Sequence, residues 1–391
     1  MRADVAVRAP GTERPRLCVV AATHPLTVGA AQFNASMVRA LRRHADVEFL
    51  SWSRPYPPLL YRGSVRDETS RPPHVEQADF VLDWLDPRTW RCAVSRAESF
   101  GAGALLLPWL HPVMALPYAS LLRASRGRLR RVVICHNVLP HERMPFAVTL
   151  TRRVLREADA QITHAPGQRV ELERLGVSGE IVEAFHPIFD PGELAPKPRP
   201  EALDAERARL GNPELVLLLY GAVRPYKGAD LALEALAHVD RALDVRLVIA
   251  GRFWTPRHEL ERLARRLGVA HRVEFRDGYV SNEETAVLFG VSDAAVLPYR
   301  SATQSGVAAL SLGHGRPVIA TAVGGLPAAI EDGVDGLLTP PDDARALAHA
   351  VERLAHEKER LTAGARRTRN RRSFDSYAQV LLAAAATGGT P

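Results

Sequence analysis

Lysine is almost missing from this chain: of 51 basic residues only Lys197, Lys227 and Lys358 are lysines, and the rest are arginine. With the abundant alanine, that skew reads as a coding bias more than a function, and it leaves each lysine conspicuous. Cysteine is as scarce. Cys18, Cys92 and Cys135 make no Cys-x-x-Cys pair and have no histidine at zinc-ligand spacing, which excludes a disulfide framework and a zinc ribbon. Cys18 and Cys135 fall in apolar strand-like runs, where a thiol behaves as a small buried hydrophobe, and a reducing cytosol is the natural compartment. No stretch reaches the apolar length of a membrane span. Met1–Arg16 mixes Arg, Asp, Glu and Pro without an apolar centre, so it does not read as a signal peptide. No Asp-x-Asp pair occurs for a divalent ion, and no Asp or Glu lies between Ala294 and Ile330.

What is present describes a sizeable globular α/β protein. The 391 residues suit two domains of roughly 180 residues each, with 46% apolar and 24% charged residues. The net charge of +7 is spread along the chain and fits anionic ligands or an anionic membrane surface without choosing between them.

Short apolar runs alternate with longer amphipathic ones, the pattern of a parallel sheet flanked by helices. Strands are expected at Leu17–Thr23, Val47–Trp52, Phe80–Trp84, Ala104–Pro108, Arg131–His136, Ala160–Thr163 and Ile181–Phe185. The pattern restarts with Leu215–Tyr220, Arg246–Ala250, Val273–Phe275, Ala294–Pro298, Pro317–Ala320 and Gly336–Leu338. Expected helices include Ala31–Arg43, Thr149–Ala158, Gln168–Leu175, Asp230–His238, Glu259–Leu267 and Ala344–Ala355. The proline-rich stretch "DPGELAPKPR", Asp190–Arg199, breaks any periodic element. The expected division is therefore a first domain over 12–190, a linker over 191–200 and a second domain over 201–372. A C-terminal helix and tail, 373–391, would then be free to cross back to the first domain. Ligands of doubly wound sheets bind beyond the carboxyl ends of the strands, which directs attention to those ends.

At one such end "LVLLLYGAVRPYKG", Leu215–Gly228, runs from a buried strand through Gly221 to Arg224 and Lys227 on the loop before a helix. A guanidinium fork and a mobile ammonium together suit phosphate oxygens, although a solvated basic turn has the same composition. At another, Gln304-Ser305-Gly306 opens an apolar helix, where free N–H groups and the positive helix end attract anions; an ordinary serine cap looks alike. The acid-free stretch around it suits a diphosphate. His136 closes a first-domain strand and is better placed than most of the 14 histidines. His24 is a weaker candidate of the same kind, and His164, His186 and His314 are read as structural.

Taken in order, "GAVRPYKG", "DGYVSNEETAVLFGVSDAAVLPYRSATQSGV", "GRPVIATAVGGLP" and "EDGVDGLLTPPDD" resemble the nucleotide-sugar-binding half of the retaining glycosyltransferases of family 4, the group 1 glycosyl transferases. "CHNVLPHE", "ADAQITHAP" and "FHPIFD" resemble the first half of the same family, most weakly over Gly11–Leu110. The resemblance implies a GT-B fold, two Rossmann-like domains facing across a cleft. It implies transfer of a sugar from a nucleotide-diphosphate sugar to an acceptor, with retention of anomeric configuration and no metal or cofactor. By the same resemblance Arg224 and Lys227 hold the donor diphosphate, with Gly221 at the head of their loop. Gln304, Ser305 and Gly306 meet the distal phosphate through backbone amides, and the backbone near Val280 meets the base. His136 stands beside the donor sugar as the candidate catalytic residue, and Gly29 lies close to the diphosphate and acceptor.

The chain departs from the family where two glutamates seven residues apart are usual. Here those positions fall on Ala302 or Thr303 and on Leu310 or Ser311. That departure keeps a non-catalytic nucleotide-binding or partner protein open as a rival, beside a sugar phosphorylase or sugar-nucleotide epimerase. Nucleic acid is not an expected partner. The acceptor is open among sugars, lipid-linked molecules and small molecules, and the expected location is the cytoplasm, with or without peripheral contact at the inner face of the membrane. Such contact would use Ala102–Arg131, apolar and ending in "RASRGRLRR", although a buried strand and helix with a solvated basic turn fits the same residues.

Overall fold

The structure, a computed structural model, describes residues 14–26, 30–57, 75–139, 146–193, 195–302 and 305–386. Two wholly parallel sheets organise it. The first holds β1 (Arg16–Val20), β2 (Asp46–Arg54), β3 (Asp79–Asp83), β4 (Ala104–Trp109), β5 (Arg130–Cys135), β6 (Ala160–Thr163) and β7 (Glu180–Glu183), in the order β3-β2-β1-β4-β5-β6-β7. The second holds β8 (Leu215–Tyr220), β9 (Val245–Gly251), β10 (Val273–Asp277), β11 (Ala294–Leu297), β12 (Val318–Thr321) and β13 (Gly336–Thr339), in the order β10-β9-β8-β11-β12-β13. In each sheet the chain starts at the centre, winds to one side and returns to the other, so the order reverses beside β1 and beside β8. A crevice opens at each reversal, above the carboxyl ends.

The sequence explains the layering. β4, "ALLLPW", is buried along its whole length, as a strand covered by helices on both faces must be. The helix Ala31–His44 buries Phe33, Met37 and Leu41 at four-residue intervals and ends on Arg42, Arg43 and His44, cations that suit the negative helix end. Ser281 and Glu284 form a reciprocal capping box on the helix Asn282–Val291. Cys18 and Cys135 lie in the first-sheet core, where burial pushes both thiols up to about 12.

Several elements differ from the sequence expectation. A helix at Pro200–Arg209 follows the proline-rich stretch directly and packs on the second sheet's helix Asn282–Val291, where Leu203 meets Gly290. Within that stretch Pro191–Glu193 forms a 3-10 turn, and Glu193 accepts a hydrogen bond from Ser36 (2.9 Å) and pairs with Arg39 (3.3 Å). The expected helix at Ala344–Ala355 continues to Arg371. Its second half buries Leu361, Gly364, Ala365 and Thr368, a helical stripe that single-sequence hydropathy misses because three of its four members are small or polar.

The last helix, Phe374–Ala386, lies on the first sheet: Phe374, Tyr377, Leu381 and Ala384 share a core with Phe33, Met37, Val132 and Ile134. Asp375 accepts a hydrogen bond from His44 Nε2 at 2.9 Å, and Arg130 Nε donates to the Ala384 carbonyl at 2.6 Å. Two segments therefore cross between the sheets, and they run side by side: the Ile188 amide donates to the Arg372 carbonyl (2.8 Å), and Ile188 bridges Ser373 in parallel.

Candidate functional site

Beyond β8 the backbone turns at Gly221, with φ +93°, and enters a 3-10 turn, Pro225–Lys227, before the helix Ala229–His238. Gly228 between them has φ +67°, and a Cβ there would lie 2.0 Å from the Pro298 carbonyl, so only glycine lets this turn sit against the end of β11. The turn folds Lys227 inward: its side chain is buried, its Nζ donates to the Tyr220 carbonyl at 3.2 Å and stands 5.6 Å from the centre of the Tyr299 ring. A Cβ at Gly221 would come 3.1 Å from that Nζ and 3.9 Å from Val307. Among the described residues no carboxylate pairs with Lys227. Burial, and then the neighbouring Arg224, pulls its ammonium down to about 8.

Ser305 caps the helix Gly306–Gly313, its Oγ accepting from the Ala308 amide at 3.2 Å. Tyr299 is hydrogen bonded to Ser305, and burial raises its phenol, keeping it neutral. A Cβ on Gly306 would meet nothing within 4 Å, so this residue at the helix start faces open space. Gly221, Lys227, Tyr299, Ser305 and Gly306 thus form one patch: a buried ammonium, a neutral aromatic ring and a helix start, with nothing acidic among them. Arg224 stands exposed at the lip of the patch over the ring of Trp254. Val280 follows the end of β10 and packs against the apolar cluster that contains Leu288 and Phe289. Gly29 and Gln304 lie outside the described residues.

The departure from the glutamate pattern acquires a location. The Ala302 carbonyl packs onto the turn at Gly324 and accepts from the Gly325 amide at 3.3 Å. Ser311 is wholly buried, donating to the Arg316 carbonyl at 3.0 Å, and Leu310 packs against the apolar cluster. Thr303 lies outside the described residues. Among the described residues no group of three or more His, Cys, Asp or Glu is placed to hold a metal.

Across the cleft, His136 follows β5 with its amide on the Trp109 carbonyl (3.0 Å). Its ring meets the edge of Phe33 at 4.5 Å between centroids and lies 5.7 Å from His164, which lies 5.4 Å from His186. Gln168 holds two of the three by their backbones, donating to the His136 carbonyl and accepting from the His164 amide, both at 2.8 Å. His164 Nε2 meets the Tyr377 hydroxyl at 2.8 Å, and His186 Nδ1 donates to the Pro187 carbonyl at 3.0 Å. Burial, with His186 next, pulls His136 down to about 3; burial likewise lowers His164 and His186, so all three are neutral at physiological pH. The His136 Nε2 atom is buried without a hydrogen-bond partner among the described residues.

Sequence reasoning took His164 and His186 as structural. Both line a cleft of about 330 Å³ whose opposite wall is Ser305, Ala309 and Arg372. The cleft joins the two sheets' sites, although Arg224, Lys227 and His136 do not line it. Tyr299, Trp254 and Tyr377 were missed as well. Each acquires its place through a partner distant in sequence, and no local pattern marks it.

Residues 214–357 match the family model described as glycosyl transferases group 1. The fold is GT-B. It is similar to sucrose-phosphate synthase from Thermosynechococcus elongatus (TM-score 0.64, 19% identity, 95% of this chain and 98% of that one). It is equally similar to Anabaena Alr3699/HepE in complex with UDP (TM-score 0.64, 16% identity, 94% and 98%). In sequence, the chain is 36% identical over 194 residues to a D-inositol 3-phosphate glycosyltransferase of Streptomyces griseus, covering 46% of this chain and 41% of that protein. The chain spans about half the length of the curated relatives it matches.

Proposed function

We propose that this protein is a glycosyltransferase of family 4 type that moves a sugar from a nucleotide-diphosphate sugar to an acceptor, with retention and without a metal. The observation that carries this reading is Lys227: a buried ammonium that pairs with no carboxylate among the described residues, at the carboxyl end of the central strand, facing a helix start across a patch whose described residues include no acid. Burying an uncompensated cation is costly. A diphosphate repays that cost, since its charge grows as the anomeric bond breaks and the ammonium and helix amides are already in place to stabilise it.

In the proposed step the bond from the anomeric carbon to the diphosphate oxygen breaks and its electron pair leaves on that oxygen. The acceptor hydroxyl oxygen bonds to the same face of the sugar, and its proton passes to the departing phosphate. Arg224, Lys227 and the Ser305–Gly306 amides hold the diphosphate, with Gly221, Gln304 and Gly29 bordering it and the Val280 backbone meeting the base. His136, neutral in the folded protein, stands beside the donor sugar as the candidate catalytic residue.

The deciding experiment is donor binding and slow donor hydrolysis across a panel of nucleotide sugars, with a chelator present, comparing wild type with Lys227→Ala. One donor selected by the wild type and lost in the variant supports the reading. Equal behaviour of the two proteins would sink it, and binding without turnover on any acceptor would favour the non-catalytic rival. D-inositol 3-phosphate belongs in the first acceptor panel because the curated relatives carry it in their names.

The proposed location is the cytoplasm, with or without peripheral contact at the inner face of an anionic membrane; such contact would suit a lipid-linked acceptor. Within Ala102–Arg131 the strand β4 is buried throughout, so such a face would come from the helix Ala115–Ala124 that follows it. What is exposed is Leu116, Phe146 and Val148, beside a groove of about 460 Å³ lined by Leu150, Arg91, Arg123 and Arg153. Vesicles rich in phosphatidylglycerol should pull down the wild type and not Leu116→Asp/Val148→Asp; no capture by any anionic vesicle removes the membrane contact. Among the described residues no helix is long and apolar enough to cross a membrane.

A further inference from the structure

Arg224 is held in an unusual way for an exposed arginine of this chain. Arg300, nearby, is fixed by carboxylates, with Asp230 at 2.9 Å and Asp342 at 2.8 Å. Arg224 has no ion pair among the described residues; its guanidinium carbon instead lies 4.5 Å from the centre of the Trp254 ring. That tryptophan is 59% exposed, so it is not in place to fill a core.

The indole is carried by backbone rather than by side-chain packing. The Val223 amide donates to the Arg252 carbonyl at 2.8 Å, and Trp254 and Thr255 return amides to the Val223 carbonyl at 2.9 and 3.1 Å. Val223 and Phe253 form a parallel bridge that extends the β8–β9 pairing past the ends of both strands. From the other side the Phe253 amide donates to Asp277 Oδ1 at 3.1 Å, and the Phe253 and Phe275 rings pack 6.2 Å apart. Gly251, with φ +136°, lets the β9 backbone approach the Gly221 carbonyl, where a Cβ would lie 2.1 Å away. The loop bearing Arg224 and the loop bearing Trp254 are therefore one rigid unit.

An arginine that must bind phosphate has to be ordered without being neutralised. A carboxylate orders it but occupies two of its N–H donors and cancels its charge. An aromatic face restrains the guanidinium plane through its quadrupole and leaves all five N–H groups free along the edge. We infer that Trp254 is a positioning residue for Arg224, fixing the guanidinium so that its N–H edge is presented to the diphosphate of the donor. The inference rests on the donor site proposed above.

The test is UDP and ADP binding by titration calorimetry, with donor KM and kcat, for Arg224→Ala, Trp254→Ala, Trp254→Phe, Trp254→Leu and the double alanine variant. A cation–π restraint corresponds to between about 2-fold and 30-fold in affinity. Trp254→Ala should weaken nucleotide binding and raise KM within that range, with a smaller change in kcat. Trp254→Phe, which keeps a π face, should recover most of it. Trp254→Leu, apolar without a face, should not. The double variant should bind no more weakly than Arg224→Ala, because the tryptophan acts only through the arginine. If Arg224→Ala binds like wild type, the donor-site reading itself fails. Should Arg224→Ala lose binding while Trp254→Ala does not, or Leu rescue as well as Phe, or the two alanine effects add, the role of Trp254 is overturned.

Discussion

Lys227 and the three first-domain histidines share a condition: burial disfavours their charged forms. For Lys227 the ammonium falls from its ordinary 10.5 to about 8. Between those values the unfolded chain holds a proton that the folded chain does not, so stability rises with pH across that window and is reduced below it. Replacing Lys227 with Met should therefore leave the protein as stable or more stable, by roughly 1–3 kcal/mol at pH 7, while abolishing donor binding. Thermal melting beside donor titration reads both; a variant that binds donor normally, or that melts well below wild type, contradicts the argument. In the free wild-type protein donor affinity should also fall as pH rises through 8, since only the protonated amine attracts phosphate, and Lys227→Met should show no such fall. His136, His164 and His186 work in the opposite pH range. Their folded pKa values lie below the ordinary 6.5, that of His136 at about 3, so the unfolded chain binds protons first and stability drains away as pH falls from about 6.5 toward 3. Each histidine that is charged in the unfolded chain and neutral in the folded one adds about 1.4 kcal/mol per pH unit to that slope. Acid titration of denaturant midpoints should show a shallower slope in His186→Phe, and an unchanged slope would remove this histidine from the account.

At the scale of elements, the returning helix Phe374–Ala386 makes the first domain depend on residues far along the chain. Leu381 is wholly buried in the same core as Val132 and Ile134. Leu381→Ala should cost about 2–5 kcal/mol, and first-domain segments should become the earliest protease sites. Loss of second-domain segments first would contradict that placement. Strands were the most legible elements: the central ones, such as β4, β8 and β11, are covered on both faces and so continuously apolar, while the edge strands β3, β7 and β10 are partly exposed. Helices were less so. Pro200–Arg209 has no buried residue and so no apolar stripe to detect, and the second half of Ala344–Arg371 is built on small residues that pack backbone to backbone, such as Gly364 against the Val334 carbonyl. At the site, Lys227 and Ser305 stood out because rarity and a strand-end position mark them locally. Tyr377 did not: it reaches His164 across 213 residues of sequence, and only the folded chain shows that the last helix borders the histidine cluster.

For the whole molecule, residues beyond strands of both sheets line one cleft, and among the described residues two segments join the sheets. Those segments are paired through Ile188, Arg372 and Ser373, so they form a single strap rather than two independent tethers. A strap of this kind lets one body rotate against the other with few backbone angles changing, as in hinge closure. Catalysis by the proposed site needs that motion. In the proposed site the diphosphate would be held by Lys227, Ser305 and Gly306 on the second sheet, whereas His136 belongs to the first, and among the described residues no contact joins His136 to that patch. Closure would bring them to one ligand and exclude water from the broken bond. Small-angle scattering in the presence of saturating UDP should therefore give a smaller radius of gyration than the free protein. Lys227→Ala should not contract at the same UDP concentration, because a ligand shifts the equilibrium only through its preference for the closed form. Contraction of the variant to the same degree would detach closure from the diphosphate patch. An unchanged profile in the wild type, at UDP concentrations where calorimetry shows full occupancy, would mean that the nucleotide alone does not close the cleft and that the sugar or acceptor must supply the remaining contacts.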